Sequence, residues 1–397
     1  MNAHAISHHR TVAAAGGRWS LGRVFHFTME HFLLLPIGGL IALVWANVGP
    51  EGYFTFAHRL AFAVNEVGMA VFFALITQEI IEAIIPGGAL HTWRRWMLPL
   101  VAAAGGSLGS AVVYLAYVEW KYEPVLSQGW LVACAYDLAF GYFVVRSIFR
   151  RHAAVAFFLV MAIFTSAVGI VALAIQYQTV EIHSRGTMLM LAALGLAALL
   201  RRQKVGSFWP YVVLCGPLSW WALFLNGLHP ALALVPIVPF LPHAARRLEL
   251  FTDAPHGVHD SRSHVEHVWN YPVQAILFLF GLVNAGVLIQ EYGTGTWAFL
   301  AAALLGRPLG VLAAVGAAVL LGFHLPARLR WPGLVVVALT ASSGFTFALF
   351  AATVVYPAGP ILGELKIGAV LSGVGVVLAF AAARLLRVGR FAAPGHA

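Results

Sequence analysis

The stretch from Gly129 to Gln178 decides the reading of this chain, and its core is Val132-Ala133-Cys134-Ala135-Tyr136-Asp137-Leu138-Ala139-Phe140. Two apolar spans lie on either side of a basic turn, Arg150-Arg151-His152, and the first of them carries one acid, Asp137. An acid at mid-bilayer depth costs about 2.5–3.5 kcal/mol on insertion scales, so a functional role is its default reading. The competing reading is an acid paired to a neighbouring helix for packing alone. The centre of the second span, Ile163-Phe164-Thr165-Ser166-Ala167-Val168-Gly169, contains no acid.

Working outward, the composition excludes an ordinary soluble domain. Of 397 residues, 61% are hydrophobic and 10% charged, with mean hydropathy +0.85; soluble chains carry roughly 25% charged residues. The chain reads as an all-α, polytopic membrane protein whose surroundings are the lipid bilayer. Its net charge of +9 does not imply a nucleic-acid partner, because Lys and Arg sit singly or in short clusters between apolar spans. That is the pattern of cytoplasmic loops. Cys134 and Cys215 both fall inside apolar spans and read as small buried hydrophobes, with no disulfide framework.

About 17–25 apolar residues are needed to cross the hydrocarbon core. Some twelve such segments are legible, near 31–48, 64–85, 97–118, 129–148, 153–176, 186–200, 209–225, 229–242, 271–290, 297–321, 333–356 and 363–386. The segment at 31–48 opens this series and reads as a retained first helix rather than a cleaved signal. Residues 1–30 form a polar, His-rich tail, 31–386 one membrane domain, and 387–397 a second tail. Nineteen of the 24 Lys and Arg residues fall on one side, from Arg10, Arg18 and Arg23 to Arg384, Arg387 and Arg390. The other side holds only Arg59, Lys121 and Arg185, which places both termini in the cytoplasm. The longest connection, His243 to Asn270, reads as a linker between two helical groups.

Two three-span blocks, near 97–176 and 297–386, each have an unusual middle span. One carries Asp137; the other runs Thr340-Ala341-Ser342-Ser343-Gly344-Phe345-Thr346, small and polar residues that disfavour continuous helix. The first block starts in the cytoplasm and the second outside, so the repeat is inverted. Inverted repeats with broken helices at the midplane are the architecture of many secondary transporters.

Arg307 lies inside the tenth span, in Leu304-Leu305-Gly306-Arg307-Pro308-Leu309-Gly310. A guanidinium does not deprotonate, so it needs a carboxylate, carbonyl dipoles or water. Neutralising half-helix C-termini is one use, a purely structural cation the other. Glu79 and Glu82 share a helix face at the cytoplasmic end of the second span, as an acidic funnel, a pH-responsive cluster or ordinary interfacial residues. Glu266-His267 precedes the ninth span and titrates near physiological pH or simply solvates a helix entrance. His229, beside Pro230, reads as a capping or packed residue sooner than a proton relay. No G-x-x-x-x-G-K-[ST] or H-E-x-x-H motif is present, which argues against ATP-driven transport, and nothing in the spans resembles the nucleophile–base pair or metal cluster of an enzyme. No cofactor is expected.

Several of these stretches together resemble one family. Asn65-Glu66-Val67-Gly68-Met69-Ala70-Val71-Phe72-Phe73, Ala139-Phe140 after Asp137, Gly227-Leu228-His229, Glu266-His267, Asn284-Ala285-Gly286-Val287, Gly306-Arg307-Pro308-Leu309-Gly310 and Gly344-Phe345-Thr346 look like the NhaA-type sodium/proton antiporters. The resemblance spans about residues 31–386, and the inverted-repeat architecture, with broken fourth and eleventh helices, is already described for that family. It implies Na+ or Li+ and H+ as the transported ions, a bacterial inner membrane, and a homodimer. Asp137 and Arg307 match the family's intramembrane charged positions, and the ion-coupling candidates in this sequence are Asp137, Arg307, Ser166, Thr165 and Thr346, with sodium near Asp137 and Ser166. Glu266 and His267 match its pH-sensing pair and Glu79 the first acid after its second helix; Glu82 and His229 join them as pH-sensing candidates from their own positions in this sequence.

The sequence departs from the family pattern at several places. Tyr136 stands where threonine is usual, and Arg307 where the family has a lysine. Asn270 stands in place of a further histidine, and the acidic element after the second helix is eroded, with Glu82 on its arginine and Ala83 on its last acid. The family's paired aspartates of the fifth helix bind the cation and carry the protons. Counting back from Gly169, Ser166 and Ala167 occupy those places. A hydroxyl can coordinate sodium but does not shuttle a proton at ordinary pH. Coupling therefore falls to Asp137. Two rival readings follow: a carrier of this fold for another solute, such as an anion drawn to Arg307, or a homologue that kept the scaffold without transport.

Overall fold

A computed structural model describes residues 34–84, 93–134, 136–150, 152–176, 183–241, 263–326 and 328–392, and among them every regular element is helical. In chain order the α-helices are α1 (Leu34–Val48), α2 (Pro50–Phe62), α3 (Met69–Ile84), α4 (Trp93–Trp120), α5 (Trp130–Ala133), α6 (Leu138–Phe149), α7 (Ala153–Gln176), α8 (Ser184–Arg202) and α9 (Gly216–Leu225). They continue with α10 (Ser263–Asn284), α11 (Thr294–Ala301), α12 (Arg307–Leu320), α13 (Trp331–Thr340), α14 (Phe345–Val355), α15 (Pro360–Leu371) and α16 (Val374–Leu385). Wide π-helical turns, Ala63–Gly68 and Ala302–Gly306, join α2 to α3 and α11 to α12 without breaking either span.

Six of the described spans are long and apolar enough to cross a bilayer, and the bent pair of α13 and α14 makes a seventh. Shorter apolar helices occupy the expected spans near 31–48, 129–148, 209–225 and 271–290. The apolar stretch expected at 229–242 is not a continuous helix over its described residues, 229–241. It runs as tight turns, with 3₁₀ segments at Pro230–Leu232 and Val238–Phe240. Pro230, Pro236 and Pro239 each remove a backbone donor, which explains why hydropathy alone overestimates its regularity. Residues 1–33, residues 393–397 and most of the His243–Asn270 connection lie outside the described residues.

Both unusual spans are broken where the sequence suggested. The fourth stops after Ala133 and restarts at Leu138; the eleventh stops at Thr340, restarts at Phe345 and bends by 44°. Serine and glycine at 342–344 give little helical drive, and Asp137 prefers an N-cap to a helix interior.

The two blocks meet through α4 and α12. A side chain on Gly105 would come within 2.6 Å of the Gly310 carbonyl, and one on Gly306 within 2.6 Å of the Gly109 carbonyl. Gly105 thus faces Gly310 and Gly109 faces Gly306, so the helices run antiparallel, as an inverted repeat requires. Small-xxx-small spacing on both partners lets the backbones approach closely, the main source of helix association within lipid. Ser110 donates to the Ala302 carbonyl at 3.1 Å, satisfying a group in the π-helical turn. The crossing is tight, and it carries Arg307 to the centre of the protein.

Candidate functional site

Asp137 is buried, with 2% of its surface exposed, in the gap between α5 and α6. Its backbone N–H donates to the Ser343 carbonyl at 3.0 Å, which ties the two broken spans together at their breaks. One carboxylate oxygen, Oδ1, accepts from the Phe140 N–H at 3.0 Å, capping α6. The other, Oδ2, accepts from the Thr346 N–H at 3.0 Å and the Thr346 hydroxyl at 2.7 Å. The carboxylate therefore sits against the first turns of two half-helices, α6 and α14, whose free N–H groups and dipoles favour negative charge.

Arg307 provides the opposite charge at the opposite ends. It is fully buried at the start of α12, just past the π-helical turn, with Pro308 next to it. Its Nη1 donates to the Ala341 carbonyl at 2.7 Å, and its Nη2 donates to the Ala133 carbonyl. Ala133 ends α5 and Ala341 is the C-cap of α13, so one guanidinium closes both half-helix C-termini. This geometry corresponds to one of the two uses of Arg307 that the sequence left open. Among the described residues no carboxylate forms an ion pair with it. Its cationic carbon instead lies 4.7 Å from the centre of the Tyr136 ring.

Helix α7 forms a wall of this centre. Thr165 and Ser166 are buried, while Ala167 is half-buried and Val168 exposed, so the two hydroxyls face inward. Thr165 donates to the Met161 carbonyl of its own helix at 3.0 Å, leaving its oxygen lone pairs available. Gly169 packs under the Phe347 ring of α14, where a side chain would come within 2.8 Å of it. Ser342 and Ser343 add two buried hydroxyls with no hydrogen-bond partner among the described residues. Hydroxyl and carbonyl oxygens beside one carboxylate make a donor set suited to a small hard cation, not to a soft metal.

The other candidates are elsewhere. His229 caps the turn that follows it, its Nδ1 accepting from the Ala231 N–H at 3.2 Å, and its ring stands edge-on to Phe350 at 5.0 Å. Its Nε2 lies 3.9 Å from Glu66 in the π-helical turn, a neighbour that sequence reasoning missed. Next to Glu66, Asn65 accepts from Asn284 at 2.6 Å. Glu79 and Glu82 lie on α3, and Glu266 and His267 on α10, but their side chains fall outside the described residues.

Sequence reasoning also missed Tyr136 and Ser343. Tyr136 registers in the sequence only as a large residue in a place held by threonine in the family it resembles. Ser343 contributes a carbonyl, which no side-chain motif announces.

A family model described as Na+/H+ antiporter 1 matches residues 25–386. A Na(+)/H(+) antiporter NhaA of Desulfitobacterium hafniense is 39% identical over 377 residues, covering 92% of this chain and 97% of the relative. Another, of Geobacter metallireducens, is 39% identical over 374 residues, covering 91% and 98%. The fold is similar to that of the sodium proton antiporter MjNhaP1 of Methanocaldococcus jannaschii, with a TM-score of 0.58 at 13% identity, over 92% of this chain and 98% of that one.

Proposed function

The chain belongs to the Na+/H+ antiporter 1 family, and from that premise we propose that it exchanges sodium for protons by alternating access. Sodium leaves the cell and protons enter, across the bacterial inner membrane, with both termini in the cytoplasm and the protein a homodimer. The observation that carries the reading is Asp137, a buried carboxylate held by donors from both broken spans at their crossing. A carboxylate in that place holds either a proton or a cation, and not both. Sodium takes the carboxylate with hydroxyl oxygens such as that of Ser166, and displaces the proton. Arg307 stays charged throughout, fixing the half-helix ends while the crossing moves.

Because Thr165, Ser166 and Ala167 carry no acid, Asp137 bears the proton alone, and each sodium exchanges for one proton without net charge movement. The test is proton flux in inverted membrane vesicles on adding sodium or lithium, across a range of pH, with the membrane potential clamped at several values. The reading expects sodium-dependent proton movement that the potential does not alter. A folded protein that moves no protons on adding either ion would point to the other-solute carrier or the non-transporting homologue.

A further inference from the structure

We propose that Tyr136 is a positioning residue for Arg307: its ring face holds the guanidinium on the two half-helix carbonyls and off the carboxylate of Asp137. The inference rests on the sodium/proton reading above. Arg307 has five N–H donors. Two groups of them, Nη1 and Nη2, serve the Ala341 and Ala133 carbonyls, and Nε has no hydrogen-bond partner among the described residues. A fully buried, incompletely satisfied guanidinium is drawn towards any carboxylate it can reach, since charge-assisted and bidentate pairing is the strongest use of its fork. Asp137 is the residue next to Tyr136, in the same gap between half-helices. An arginine paired to Asp137 would occupy the oxygens that sodium and the proton must share.

What opposes that collapse is the aromatic face 4.7 Å from the guanidinium carbon. Cation–π attraction is strongest where both partners are desolvated, and Arg307 and Tyr136 are both buried. The ring is itself held in place. It lies in the unwound stretch between α5 and α6, and its hydroxyl end rests on Gly106 of α4, where any side chain would collide with it. The residues beside that hydroxyl are Thr165 of α7 and Ser107 of α4. Tyr136 therefore touches the long helix, the wall helix and the central cation at once. A residue that only filled volume would need no π face towards the guanidinium, and that difference can be measured.

Sodium-driven proton flux in proteoliposomes, titrated with sodium, separates the apparent KM from kcat for Tyr136→Phe and Tyr136→Leu. Tyr136→Phe keeps the face and should leave both constants within about twofold of wild type. Tyr136→Leu keeps bulk without a face and should raise the sodium KM by about tenfold, as Arg307 competes for Asp137, with a smaller loss in kcat. A fluorinated phenylalanine at 136, with shape kept and the ring's negative face cancelled, should raise KM in the same way and covers the case in which Tyr136→Leu does not fold. Wild-type exchange with an unchanged KM in the leucine or fluorinated protein overturns the role of Tyr136 alone. A KM rise of equal size in Tyr136→Phe also overturns it, because the hydroxyl would then be the operative group. A folded wild type without sodium-driven flux overturns the sodium/proton reading and this inference with it.

Discussion

Replacing Arg307 with methionine tests how the crossing is held together. Methionine fills much of the same volume, but it removes the donors to Ala341, at 2.7 Å, and to Ala133. Each buried carbonyl left without a donor costs about 1–3 kcal/mol, so the two together cost about 2–6 kcal/mol. The C-terminal ends of α5 and α13 also lose their compensating charge, which adds about 0.3–2 kcal/mol for each helix end. Against this stands relief from burying a guanidinium, an effect that often makes apolar replacement of buried ion pairs neutral. That offset is incomplete here, because the partners are backbone dipoles that stay behind when the arginine goes. A net loss of about 2–4 kcal/mol is expected. Arg307→Lys keeps the charge and some donors, and should fall between methionine and wild type.

The assay is thermal unfolding of purified protein in detergent, run beside sodium-dependent proton flux at matched membrane expression. Arg307→Met should unfold at a clearly lower temperature and lose exchange, with Arg307→Lys retaining part of both. A methionine variant with wild-type unfolding and exchange would refute the claim that this guanidinium closes the half-helix ends. Lysine behaving no better than methionine would refute the claim that charge at this place matters.

Gly109→Ala places a methyl group 2.8 Å from Gly310 Cα, backbone that cannot yield, so separating α4 from α12 should cost about 1–3 kcal/mol and reduce exchange. Gly195→Ala on α8, where nothing lies within 4 Å, should instead be neutral or stabilising by up to about 1 kcal/mol; equal thermal shifts in the two variants would contradict the close crossing.

His152, in the turn between α6 and α7, accepts from the Ala154 N–H at 3.1 Å, and burial holds its pKa below 6.5, opposed by a hydrogen bond to the Arg328 backbone. Its unfolded form protonates first. The stabilisation it gives is therefore complete above about 6.5 and declines as pH falls from there through the folded value. Unfolding temperatures measured from pH 8 to pH 5 should fall less steeply for His152→Gln than for wild type, and parallel curves would remove His152 from the acid response.

How much of this was legible in the sequence depends on which group carries the information. Span positions follow from hydropathy, because lipid demands long apolar helices. Two stretches mislead: 229–242 is apolar enough for a helix but too rich in proline to form one, and the second span, expected at 64–85, already begins as helix at Pro50. Asp137, Arg307 and Thr346 could be found because charge and polarity are rare at that depth, and they do converge on one crossing. That Arg307 faces carbonyls and not a carboxylate was legible only as an option, since backbone acceptors leave no letter in a sequence. Tyr136 was hidden for a different reason: an aromatic residue in an apolar span is ordinary, and only its distance from Arg307 gives it meaning. The pairing of Glu66 with His229 joins residues far apart in sequence, through a π-helical turn that no local pattern announces.

The most direct measurement is sodium-dependent proton flux of wild type and Asp137→Asn in inverted vesicles, with folding and insertion of both verified. Asparagine preserves the shape of the side chain but cannot carry a proton. Robust exchange is expected in the wild type and none in Asp137→Asn. Wild-type exchange in the asparagine variant would contradict the claim that this carboxylate is where sodium and the proton compete.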